Sequence, residues 1–155
     1  MHRTVGPTDT VFAVSLLLVM WAIPCLAEGH AARTVAAEQS DRQVQSTIDR
    51  LEQLVARQPK NPESWYALAV FYSEKAKDAN LPRDLSRKYV RRASEANDWA
   101  LVINPVYYEA LRLKTILLRQ RATYEKDSTV RRALIAEADA IKRKADEILA
   151  FHSGG

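Results

Sequence analysis

Residues 59–72 read Pro59-Lys60-Asn61-Pro62-Glu63-Ser64-Trp65-Tyr66-Ala67-Leu68-Ala69-Val70-Phe71-Tyr72, and the fold is decided here. Pro59 stops the segment before it. Asn61 has the short oxygen-bearing side chain that accepts from the free N–H groups of a helix start. Pro62 stands at the first helical position, where its missing N–H costs nothing. Trp65, Leu68, Ala69, Tyr72 and Ala76 then recur at spacings of three and four, which is one buried face of a helix.

The same pattern extends in both directions. Upstream, Val44, Ile48, Leu51, Leu54 and Val55 form the apolar face of a leading helix that ends at Gln58-Pro59. Downstream, Asn80-Leu81-Pro82 breaks the chain. A third helix carries Tyr89, Ala93, Ala96, Ala100, Leu101 and Ile103 as far as Asn104-Pro105, and a fourth carries Leu111, Ile116, Leu117 and Ala122. After the polar turn Lys126-Asp127-Ser128, a last helix begins near Thr129 with Leu134, Ala138, Ile141, Ala145, Ile148 and Leu149 inward and a largely charged opposite face. With only 4 glycines and 6 prolines among 155 residues, the chain lacks the punctuation of closely spaced strands, and the expected class is all-α.

The helices repeat. Pro59 to Pro105, Trp65 to Leu111 and Ala76 to Ala122 are each 46 residues apart, whereas Ala93 to Ala138 and Ala100 to Ala145 are 45 apart, so a one-residue slip falls in the middle turn. A helix pair recurring at fixed period is an antiparallel hairpin array in which each pair buries its apolar face on the next.

The order Pro59, Trp65, Leu68, Ala69, Tyr72, then Ala93, Ala100, Leu101 and Pro105 resembles the tetratricopeptide repeat family. The second unit resembles it less closely, with Leu111, Lys114 and Thr115 at the Trp, Leu and small-residue positions. The family unit has about 34 residues, so the surplus here is about three helical turns and returns nearly to phase, which implies long hairpins. Residues 41–152 form the expected repeat domain of about five helices, with the leading and last helices as caps.

The resemblance implies a groove lined by the first helix of each pair. It would set Glu63, Tyr66, Val70, Ser73 and Glu74 beside Glu109, Arg112, Ile116, Arg119 and Gln120, a mixture suited to a peptide or a partner helix. Tyr66, Arg112 and Arg119 are the leading binding residues, because aromatic and guanidinium groups dominate interface energetics. Chaperone-binding members of the family hold a C-terminal carboxylate with Lys and Asn where this chain has Tyr66 and Val70, so that ligand class is not expected.

Residues 1–27 read as a signal peptide. His2 and Arg3 precede an apolar run from Val11 to Ile23 broken only by Ser15, and Cys25-Leu26-Ala27 sets small residues three before and one before a cut after Ala27. The run is shorter than the roughly 20 residues of a bilayer-spanning helix, so no stable membrane span is expected after cleavage. The alternatives are an anchor through residues 11–27 and a lipoprotein modified at Cys25, the latter disfavoured by Pro24 just before it. Residues 28–40 have no sustained apolar period and are expected to form a flexible leader. Export points to the periplasm or the exterior of a bacterium, and Cys25 is the only cysteine, so disulfides play no part in the mature chain.

Chemistry-bearing residues are sparse in the body. His2, His30 and His152 all lie outside it, and no glycine occurs between Gly29 and Gly154, which disfavours a metal centre, a His-based proton relay and a phosphate loop. Basic groups at Arg87, Lys88, Arg91, Arg92 and at Arg112, Lys114, Arg119, Arg121 are each interrupted by acidic residues, so no nucleic-acid partner is expected. The expected protein is an exported interaction module, without cofactor, metal or catalysis, that binds through Tyr66, Val70, Glu74, Glu109, Arg112, Ile116 and Arg119. The alternatives are a self-associating helical subunit of an envelope assembly and a carboxylate-based enzyme.

Overall fold

Five α-helices and no strand make up the described residues: α1 (Pro24–Arg57), α2 (Pro62–Ala76), α3 (Arg83–Ile103), α4 (Tyr108–Tyr124) and α5 (Ser128–Ser153). The computed structural model describes residues 24–153, with side-chain surroundings from residue 39 onward. The chain divides into two units at Gln45 and Ser46. α1 runs through that boundary, and α2 to α5 belong wholly to the second unit.

The helix starts follow the local chemistry. Asn61 Oδ1 accepts the Glu63 N–H at 3.0 Å with Pro62 at the first position, and Trp65 Nε1 donates to the Pro59 carbonyl at 2.9 Å, pinning the turn to the helix it opens. Asp127 Oδ1 accepts the Thr129 and Val130 N–H groups at 2.7 and 3.3 Å and so caps α5. Consecutive helices run antiparallel. Trp65 near the start of α2 stacks on Trp99 near the end of α3, while Ser86 near the start of α3 donates to the Ala76 carbonyl at the end of α2, 2.6 Å away.

α2 packs chiefly on α3 and α4 chiefly on α5, with α3 against α4 joining the two hairpins. Ala93, Ala100 and Ala138 are fully buried and Ala145 nearly so, whereas α2 and α4 supply the bulk, with Leu68, Tyr72, Leu111, Leu117 and Leu118 buried. Small residues on one helix let the axis of its neighbour come close while the larger side chains fill the gaps beside it. α1 contributes Ile48 and Val55 to the core, and its Glu52 accepts the Tyr72 hydroxyl at 2.9 Å.

Two differences from the sequence reading concern length. α1 begins at Pro24 and covers residues 28–40, where helix was expected only from near Asp41. That stretch holds Ala31, Ala32, Ala36 and Ala37, and alanine favours helix without an apolar stripe to direct it. The signal segment and the alternative anchor otherwise lie outside the described residues. The surplus length falls unevenly: α3 and α5 have 21 and 26 residues, but α2 only 15. α4 is two residues longer than α2 and its connection to α5 three residues shorter than that from α2 to α3, which accounts for the one-residue slip in the repeat.

Positions buried in the first hairpin reappear exposed in the second. Ser73, Val90 and Asn97 are buried, while their repeat equivalents Arg119, Ile135 and Lys142 are exposed. Arg119 pairs with Asp139 and Lys142 with Asp146, each at 2.6 Å. The outer face of the second hairpin is thus charged at two of these positions and keeps Ile135, 39% exposed, at the third.

Overpacking tests the close approach. Ala100→Leu is expected to cost about 1–3 kcal/mol in urea denaturation, whereas Ala140→Leu on the exposed side of α5 stays within about 0.5 kcal/mol of the parent. Equal effects at the two positions would contradict this packing.

Candidate functional site

The α3–α4 turn determines what meets the start of α2. Asn104 Oδ1 accepts the Val106 N–H at 3.2 Å, the Asn104 carbonyl accepts the Tyr107 N–H at 3.1 Å, and the Tyr107 carbonyl accepts the Leu111 N–H at 3.0 Å. This chain of bonds folds the turn over and leaves the Tyr107 ring against Tyr66, with centroids 5.2 Å apart and planes at 55°. One residue on, Tyr108 lies under the Arg112 guanidinium at 5.8 Å, within cation–π range.

Charge surrounds these rings. Burial raises the Tyr66 phenol above its usual value, with a further push from Glu109 that Arg112 opposes. Burial also raises Tyr107, reinforced by Glu109, Glu63 and then Tyr66. Tyr66, Tyr107, Glu63, Glu109 and Arg112 therefore share one electrostatic neighbourhood at the beginning of α2 and α4. Aromatic surface lies there between carboxylates and a guanidinium, which can grip an extended or helical ligand through both apolar and polar contacts.

The expected groove residues divide into those gathered here and those placed elsewhere. Tyr66, Glu109 and Arg112 belong to the cluster. Val70 is half-buried along α2, and Glu74 is exposed with its carboxylate on Lys77 at 2.7 Å. Glu109, Arg112, Ile116 and Arg119 lie on one exposed stripe of α4, and Ile116 is 45% exposed, a large apolar side chain with no core to enter. The Arg119 guanidinium is turned to Asp139 of α5 rather than left open along the stripe.

Tyr107 and Tyr108 are absent from the sequence reading. Their signal is an aromatic pair one residue after the Asn104-Pro105 stop, at the start of α4. Trp99, whose place the helical pattern leaves open, is 53% exposed and stacks on Trp65 at 5.7 Å. Among the described residues no group of three or more His, Cys, Asp or Glu side chains is arranged to hold a metal ion, and no helix is long and apolar enough to cross a membrane.

Raised phenol values mean that the fold favours the neutral rings. The stability they confer is complete below the ordinary value of 10.0 and is lost as pH rises through the folded values. Glu109→Gln removes a carboxylate that opposes ionisation of both phenols. In an ultraviolet titration of tyrosine the variant is expected to ionise Tyr66 and Tyr107 at lower pH than the parent, and an unchanged titration would contradict the cluster.

Compared with known proteins, the chain matches no family model, no curated protein and no solved structure, so its functional reading rests on its own residues.

Proposed function

We propose that this chain is an exported, TPR-like interaction module that holds a peptide or a partner helix against α2 and α4. The observation that carries the reading is the exposed stripe Glu109, Arg112, Ile116, Arg119, which begins at the Tyr66–Tyr107 pair. An isoleucine nearly half exposed gains by being covered, and it is flanked by the residue types that supply most binding energy at protein interfaces. The mixed charge of the stripe favours a ligand carrying both signs over a purely acidic or basic one. The apolar run of residues 11–23 followed by Cys25-Leu26-Ala27 supports export, which would place the partner in the periplasm or outside the cell.

A second reading has its own observation. Val106 in the α3–α4 turn is 59% exposed and Phe151 at the end of α5 is 83% exposed, and Val106 lines a hollow together with Leu149 and His152. Exposed apolar side chains of this size suit a contact between copies of the chain, in line with a self-associating subunit.

Affinity capture from the native envelope separates the two. Residues 28–155 are expected to retain a partner that the triple variant Tyr66→Ala, Arg112→Glu, Arg119→Glu loses at unchanged helicity. Retention by both proteins would contradict the α2–α4 reading. A concentration-dependent dimer in sedimentation, abolished by Phe151→Ser and Val106→Ser, would favour the second.

A further inference from the structure

Within the chain, α4 shows how the outer face of a hairpin is covered. It packs on α3, where Asn97 donates to the Ala110 carbonyl at 3.0 Å and Lys114 donates to Asp98 at 3.0 Å, with Val90 and Asn97 of α3 buried. The same face of the second hairpin, one repeat on, is exposed at Ile135 and Lys142 on α5 and at Arg119 on α4.

The outward seam of α4 and α5 has a definite pattern. Arg119 and Asp139 bridge the two helices at 2.6 Å. Ile116 lies about one turn before Arg119 on α4, and Ile135 about one turn before Asp139 on α5. Because the helices run antiparallel, the two exposed isoleucines fall on opposite sides of the ion pair, about two turns apart. A helix laid along the seam can cover both with apolar residues seven apart and meet the ion pair with a polar residue between them.

Repeat equivalence also says what such a helix carries. Lys142 stands where Asn97 does and is likewise a donor, whereas Arg143 stands where Asp98 does and inverts its charge. Arg143 is exposed and, among the described residues, has no ion-pair or hydrogen-bond partner. A helix seated here as α4 is seated on α3 meets Arg143 with the position that Lys114 holds in α4, so a carboxylate belongs at that position. A second copy cannot supply the helix in this register. Its α2 would have to do so, and Ser64 and Leu68, the equivalents of Ala110 and Lys114, are already buried, with Ser64 Oγ donating to Gln58 Oε1 at 3.2 Å just beyond the end of α1.

We infer that the seam between α4 and α5 receives an amphipathic helix of a partner protein, in the place that α4 takes on the first hairpin, with apolar residues on Ile116 and Ile135 and a carboxylate on Arg143. This rests on the exposed α4 stripe of the reading above and names the element that the stripe receives, turned toward α5 rather than α2.

The probe is a fluorescein-labelled peptide of residues 105–126 of this chain, made unmodified and with Lys114→Glu, and titrated against the full chain by fluorescence anisotropy. The Lys114→Glu peptide is expected to bind roughly fivefold or more tightly than the unmodified one, and Arg143→Glu in the protein to reverse that order. Ile135→Ser is expected to weaken the Lys114→Glu complex roughly fivefold at unchanged helicity. Failure of the Lys114→Glu peptide to bind, or equal or tighter binding of the unmodified one, overturns the inference. So does a concentration-dependent dimer in sedimentation that Ile135→Ser abolishes, which would put a second copy on the seam. Loss of the peptide in Tyr66→Ala but not in Arg143→Glu would place the helix on α2 and α4, overturning this inference while sustaining the reading of that face.

Discussion

Two helices can lie close along their length only where one of them presents small side chains, and in this chain Ala93, Ala100, Ala138 and Ala145 meet that condition. Each pair is spaced by seven residues, two turns of helix, so the small positions stay on one line and the partner helix can rest on both. Bulky residues are then needed on α2 and α4, which is where the buried leucines and Tyr72 are found. The close approach of α3 to α2 and of α5 to α4 makes two hairpins, and their repetition makes an array.

The array explains where functional groups gather. Its connections are short, so the turn that ends α3 must deliver the chain directly to α4, and Asn104 organises that turn through its side chain and its carbonyl. Tyr107 thereby arrives on Tyr66, with Glu109 in the first turn of the helix and Arg112 about one turn in. Outward, α4 and α5 meet along a seam that leaves Ile116 and Ile135 exposed. Both surfaces are consequences of hairpin packing rather than of a dedicated loop.

Much of this was legible in the sequence because helix faces and stops are local. Asn61-Pro62, Pro82 and Asn104-Pro105 lie at or beside the boundaries they signal, and the alanine pairs marked the buried faces before any contact was known. Polar residues in the core were not legible. Asn97 bonds a carbonyl 13 positions away, and Ser86 meets the Tyr124 hydroxyl 38 positions away at 2.7 Å, so in one dimension both look like ordinary surface positions. The site was partly visible, since the groove that the repeat resemblance implies already grouped Glu109, Arg112, Ile116 and Arg119, which lie on one exposed stripe of α4. Spacing could not show that Arg119 leans to Asp139, because that pair joins two helices whose relative register is set by packing.

The central claim is that α4 presents its outward stripe to another protein. Photo-crosslinking in the native host tests it most directly, with a benzophenone side chain placed at Ile116 in one strain and at Leu149 in another. The account predicts an adduct with a second protein from position 116 and little from 149. Adducts from 149 alone, above all at the mass of two copies of this chain, would contradict it.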